Sequence, residues 1–439
     1  MKISSLLLCA ALAATPASTV TFAGNWAHWR GPDFNGSSPE QHLPEDFSKT
    51  NNVKWVAELP GPSAATPIIW GDAVFISSTD SKTKILRALA VDRKSGKPLW
   101  NAEIAQGFGQ DPNSNFASPS PTTDGERVYS LYGTGDLVAF DFKGGKVWSL
   151  NLQEKYAQFA YQWTYGASPT LFGGKLYIQV LNRDVPVHGR GKKDGPGESY
   201  LLALEPKTGK EIFRHIRPSA AAAESQEAYS TPIPFTHGGV TGILISGGDC
   251  LTGHDINTGA ELWRWGSWNP DKIGHWRLVP SPVATEAGAV LCAPKGSPIY
   301  TVKHGLKGNL DDSALAWTSA DREVSSDVAT PLYYQGRLYV LNGEKRTLAR
   351  VDPATGKPDW IGDLNSRIKI ESSPTGADGK IYFQNFKGEV FVVAAGQEFK
   401  LLRTIPMGDD GDDRLRASIA VSDGNLFIRT GSKLYCVGK

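Results

Sequence analysis

Leu201-Leu202-Ala203-Leu204-Glu205-Pro206-Lys207-Thr208-Gly209-Lys210-Glu211-Ile212-Phe213 reads as an apolar strand, a tight turn and a second strand. Glycine supplies the left-handed backbone of the turn, the preceding carboxylate can accept from turn amides, and the aromatic packs the outgoing strand. The same acid-to-aromatic spacing recurs as Asp92…Gly96…Trp100, Asp255…Gly259…Trp263 and Asp352…Gly356…Trp360, and Asp141…Gly145…Trp148 is one residue shorter. The unit is a repeated β-hairpin.

A second motif precedes each hairpin: Ser or Thr, usually followed by Pro, then an apolar strand, a Gly turn and another apolar strand. Its eight starts are Thr66, Ser120, Ser168, Thr231, Ser281, Thr330, Ser373 and Ser418. Proline fits the first residue of a strand, where a ladder donor can be missing. The steps of 54, 48, 63, 50, 49, 43 and 45 residues each hold four short strands, the spacing of a propeller blade. The fold class is therefore all-β: an eight-bladed β-propeller of four-stranded antiparallel blades.

The last copy, from Arg416 to Val437, has three strands, whereas Val53 to Leu59 has a fourth-strand pattern with no blade ahead of it. The N-terminal strand is expected to close the ring by pairing with Lys433 to Val437, burying Trp55 as Trp100 and Trp360 are buried. Closure removes two sheet edges that invite aggregation. The longest step is ascribed to a mobile insertion at Asn182 to Ser199 between the second and third strands of blade three, not to a ninth blade.

Residues 1–23 fit a cleavable secretory signal: Lys2, an apolar run from Leu6 to Ala14, and small residues ending at Ala23. Residues 24–52 form an N-terminal extension and 53–439 the propeller domain. The product is expected to be exported, periplasmic or extracellular, monomeric and without a transmembrane segment in the mature chain. Its 46 basic and 45 acidic side chains nearly cancel, which gives no global field for nucleic acid. Past the signal, Cys250, Cys292 and Cys436 lack CxxC spacing and have apolar flanks, so they read as buried thiols.

The hairpin of Leu201 to Phe213 resembles the repeat shared by pyrroloquinoline quinone (PQQ) alcohol dehydrogenases and the outer-membrane assembly protein BamB. With Trp29-Arg30-Gly31-Pro32 and Ser118-Pro119-Ser120-Pro121-Thr122-Thr123-Asp124-Gly125, the chain is similar to exported PQQ-like propeller-repeat proteins of planctomycete-type bacteria. The resemblance implies the fold over residues 25 to 439. A PQQ dehydrogenase of this kind stacks its cofactor on a disulfide between adjacent cysteines and holds calcium with an acid, amide and acid set. Neither pattern occurs here. The leading reading is a non-catalytic scaffold binding an envelope protein or small anionic ligand, with no cofactor. The alternative is a dehydrogenase with PQQ and calcium at the propeller mouth.

Other signals are thin. Asp409-Asp410-Gly411-Asp412-Asp413 offers oxygens to a hard cation but lacks EF-hand spacing, and reads as a charged loop. In an up-and-down blade the inter-blade connections share one face with the 182–199 insertion. Residues just before each inner strand face the central mouth there. The candidate binding residues are Trp163, Tyr165, His275, Trp276, Arg277, Arg322, Lys369, Glu371 and Arg416, with Trp163, Trp276, Arg277 and Arg416 at the core and the arginines favouring an anion. The competing reading has these side chains pair with one another and fill the tunnel.

Overall fold

The computed structural model describes residues 24–439 apart from Gln110, Pro112 and Asn113; the expected signal segment lies outside the described residues. Eight sheets form the ring, each running from an inner strand at the axis to an outer strand at the rim. Blade one shows the pattern: Ile68–Trp70, Ala73–Thr79, Ile85–Asp92 and Pro98–Gln106, antiparallel throughout. Blade eight combines Ala420–Ser422, Asn425–Arg429 and Lys433–Gly438 with Val53–Glu58. The register Trp55↔Cys436, Ala57↔Leu434 and Glu58↔Lys433 closes the ring as expected. Blade four carries an addition the repeat did not announce, since Gly308–Leu310 pairs in parallel with the outer strand Glu261–Trp265.

The repeat's glycine and tryptophan meet between blades. Trp55 of blade eight donates Nε1–H to Arg93 O of blade one at 2.8 Å. Trp100, Trp148, Trp317 and Trp360 do the same to Phe142, Pro206, Pro353 and Gly396 of the blade that follows each, at 3.1, 2.8, 2.7 and 3.2 Å. The indoles of Trp55, Trp100, Trp148 and Trp317 pack against the neighbouring turn. At Gly356 (φ +72°) a Cβ would come within 2.3 Å of Trp317, so the turn needs glycine for close approach as well as for backbone sign. Trp55 is buried, whereas Trp100 and Trp360 are only half-buried, a difference from the sequence expectation.

The insertion at 182–199 lies between Lys175–Val180 and Tyr200–Leu204 and adds no strand to blade three. It is tied down at several points: Asp184 N–H to Gln226 Oε1 (3.1 Å), Gly197 N–H to Asp184 O (2.8 Å) and an Arg190 Nη2 donor to Tyr161 O (3.1 Å). Val187 within it is buried. The segment is thus anchored at these points, while residues 184–186 and 193–196 are exposed.

The N-terminal extension crosses the face where the inner strands end. It bonds Trp26 to Ile69 of blade one, Ala27 O to Thr123 N–H of blade two, and Asn35 O to Tyr333 N–H of blade six. Phe34 meets Phe172 of blade three edge-on at 6.1 Å, and Ser38 N–H reaches Gly376 O of blade seven. Arg30, fully buried, donates to Pro331 O and Pro374 O at 3.0 Å each and to Asn35 O at 3.2 Å. Burial pushes its pKa down to about 9. The extension is a strap that closes one end of the axial channel.

Candidate functional site

The other end of the channel is an open cavity of about 630 Å³. Trp29 of the strap lines it, and so do all eight Ser/Thr residues that begin the inner strands. These eight are buried, and seven of them donate their backbone N–H to the hydroxyl of the next blade in a nearly complete ring. The links are Thr66 to Ser120 (2.9 Å), Ser120 to Ser168 (3.0 Å), Ser168 to Thr231 (3.0 Å), Thr231 to Ser281 (2.8 Å), Ser281 to Thr330 (2.9 Å), Thr330 to Ser373 (3.0 Å) and Ser418 to Thr66 (3.2 Å). The motif that located the blades thus staples them at the axis. A buried N–H would otherwise cost about 1–3 kcal/mol unpaired.

Above the ring the wall comes from the inter-blade loops. Trp163 and Tyr229 contribute aromatic surface, with Trp163 Nε1–H donated to Glu224 Oε1 (2.9 Å) and its N–H to Tyr229 OH (3.2 Å). Behind them Glu227 is fully buried. Burial raises its pKa although Tyr229 OH (2.7 Å), Gln162 N–H (2.9 Å) and the Arg183 guanidinium all serve its charged form. Arg277 faces Glu224 at 3.6 Å and Asp327 at 3.7 Å. Glu371 is held between the Lys369 ammonium (2.8 Å) and Arg416 Nε–H, and the Arg416 guanidinium lies 4.8 Å over the Phe386 ring. Burial opposes the Lys369 charge, but Glu344 and Glu371 outweigh it and hold its pKa above the usual lysine value. Four cationic side chains, Arg277, Lys369, Arg414 and Arg416, line the cavity against two carboxylates, Glu371 and Asp413.

Of the nine residues singled out in the sequence, Trp163, Arg277, Lys369, Glu371 and Arg416 line this cavity. Arg322 lines an adjoining cavity of about 520 Å³ that shares Val328, Lys369 and Glu371 with the first. Tyr165 is a core residue, its hydroxyl donated to Gln179 O at 2.8 Å. Trp276 packs half-buried against the core of blade four, and His275 is exposed. Sequence reasoning left out Trp29, Phe386 and Arg414. Trp29 stood in a quoted motif, yet no strand periodicity connects it to the mouth.

In the acidic run, Asp409 accepts from Thr430 Oγ1 (2.6 Å) and Ser432 Oγ (3.1 Å), and Asp412 from Asp409 N–H (2.7 Å). Among the described residues no group of three His, Cys, Asp or Glu is placed to hold a metal. The three cysteines are buried and free, outside the cavity lining. Glu371 is already committed to two cations. The donor set therefore does not fit a quinone held by calcium and stacked on a disulfide.

The family model described as outer membrane protein assembly factor BamB, of the PQQ repeat type, matches residues 47–158 and 308–399. No curated protein matches in sequence. Among solved structures, quinohemoprotein alcohol dehydrogenase from Comamonas testosteroni is similar over 95% of this chain and 81% of its own, at 13% identity and TM-score 0.66. A europium-containing methanol dehydrogenase is similar over 93% and 90%, at 10% identity and TM-score 0.68. BamB from Moraxella catarrhalis is similar over 87% and 98%, at 14% identity and TM-score 0.57. At such identities the structural likeness speaks for the fold alone, shared by redox enzymes and an assembly factor. With the blade-start Ser/Thr motif in all eight blades and the family model matching a segment in each half of the chain, the chain is similar to the PQQ-like β-propeller repeat proteins.

Proposed function

We propose that this chain is a non-catalytic, exported binding propeller of the cell envelope that captures an anionic ligand, free or as an acidic segment of an envelope protein, in its axial cavity. The observation that carries this reading is the cavity's composition: Trp163 and Phe386 for stacking, and four cations against two carboxylates, on a rigid ring strapped shut at its far end. Pockets that combine aromatic walls with a few convergent charges are the usual form of ligand sites. The matched family model is described as an outer membrane assembly factor, which supports an envelope setting. Among the described residues no helix is long and apolar enough to cross a membrane.

The test is capture from the native envelope by the wild type and by a Trp163→Ala/Arg277→Ala variant. Loss of a specific partner in the variant, with its melting temperature retained, supports the reading; equal capture overturns it. Dye reduction by the pure protein given PQQ, calcium and an alcohol would replace it with the dehydrogenase reading.

A further inference from the structure

The hydroxyl ring is closed at seven steps and open at one. Ser373 N–H, whose seven counterparts are each spent on the next hydroxyl, makes no hydrogen bond among the described residues, and the Ser418 hydroxyl that should receive it makes none either. Both residues are buried, at 5% and 3% exposure, and both line the cavity. Ser418 is also the one ring member not followed by proline. The break faces the most cationic arc of the wall, with Lys369, Arg414 and Arg416 on the loops leading into blades seven and eight. On the opposite arc Trp163 and Thr164 stand instead, with Thr164 N–H and Oγ1 donated to Asp111 at 2.8 and 2.6 Å.

Two donors left over on the cavity wall beside two cations make a site for negative oxygen. Neither has an acceptor among the described residues, and an oxyanion would satisfy both with charge-assisted bonds. Lys369 has three donors, of which Glu344 and Glu371 take two. Glu371 fixes Lys369 and Arg416 side by side and limits the net charge that the seat presents.

We infer that the step between blades seven and eight is an oxyanion seat, in which Ser373 N–H and the Ser418 hydroxyl, flanked by Lys369 and Arg416, take the carboxylate, sulfate or phosphate head of the ligand. The inference rests on the reading of the cavity as a ligand site and adds where the acidic group goes. The body of the ligand then extends over Phe386 toward Trp163, or past Lys369 into the adjoining cavity that holds Arg322.

The seat separates two kinds of ring hydroxyl. Ser281 Oγ accepts Thr231 N–H, so Ser281→Ala breaks a staple. Ser418 Oγ accepts nothing, so Ser418→Ala removes a donor and no staple. Inorganic sulfate, inorganic phosphate and glucuronate are titrated calorimetrically at constant ionic strength, which distinguishes the three head groups. At least one is expected to bind saturably. Its affinity should fall at least fivefold in Ser418→Ala at unchanged melting temperature, and stay within twofold in Ser281→Ala, whose melting temperature falls. Unaltered affinity in Ser418→Ala, or an equal loss in both variants, overturns the seat. Silent titrations alongside envelope capture that depends on Trp163 and Arg277 overturn the seat while leaving the cavity reading intact. Capture indifferent to Trp163 and Arg277 removes the cavity reading itself.

Discussion

Trp55 lies against Gly96, so close that a Cβ on that glycine would sit 2.5 Å from the indole, and its Nε1–H is donated three residues earlier in the same turn, to Arg93 O. The contact joins blade eight to blade one. It is the same contact that Trp317 makes with Gly356 between blades five and six.

Gly96→Ala should therefore destabilise the protein more than a turn glycine with open space around it. Gly379, at φ +67°, meets nothing within 4 Å and bears only the backbone penalty, whereas Gly96, at φ +69°, adds an overpacking clash with Trp55. The difference between the two alanine variants should be about 1–3 kcal/mol in urea unfolding. Equal losses would mean that the indole swings aside.

Removal of the Trp55 indole should cost about 3–5 kcal/mol, as for other buried aromatics. Deletion of residues 24–59 should do worse, because it removes the closing strand and exposes the outer edge of Lys433–Gly438. Size-exclusion chromatography should show aggregate in place of monomer. A cooperatively folded monomer would contradict the need for closure.

Acid should weaken the fold through its buried histidines. Burial lowers the pKa of His28 and of His254 from 6.5 to about 3, so both are neutral in the folded chain. As pH falls below 6.5 the unfolded chain takes up protons that the folded chain refuses, so stability drops from there until about pH 3. The full slope is about 1.4 kcal/mol per pH unit for each histidine. His28→Asn should reduce the dependence of unfolding free energy on pH between 6 and 4 by about one proton. Because His28 bonds Thr122 Oγ1 at 2.6 Å, the strap is one of the places where acid acts.

The thiols should be silent. Cys250, Cys292 and Cys436 are buried and unpaired, and burial pushes the Cys436 thiol up to about 12 and Cys292 higher still. A thiol-specific chromogenic disulfide should label none in the native protein and all three after denaturation. Native labelling would reveal local opening of blade four, five or eight.

The architecture was legible because its signals are local and repeated: a turn glycine, an acid before it, an aromatic after it, and the Ser/Thr at each inner strand. Chain closure followed from an unpaired strand pattern at Val53 to Leu59. What repeats between blades was not legible, since nothing within one hairpin tells that Trp148 rests on the turn at Gly209 of the next. The mouth was half legible. Position before an inner strand selected Arg277, Lys369, Glu371 and Arg416 correctly as cavity wall, but it could not separate Trp163 from Tyr165, two residues apart, of which only the first reaches the opening. The strap escaped because Trp29-Arg30-Gly31-Pro32 has no alternation, and its partners are scattered over six blades.

The pairing of Val53–Glu58 with Lys433–Gly438 also orders events in time. The first of these strands to emerge waits for the last, so until the whole chain has been delivered a growing row of blades has an unpaired β-edge at one end. Domains generally fold as they emerge, but a latch between such distant segments can shut only after all eight inner strands exist, and long-range pairings of this kind are slow. Every truncated or stalled product is thus left adhesive. A cell that makes this protein is expected to need a holding chaperone for it, and its folding rate should depend on the latch strand far more than on any single blade.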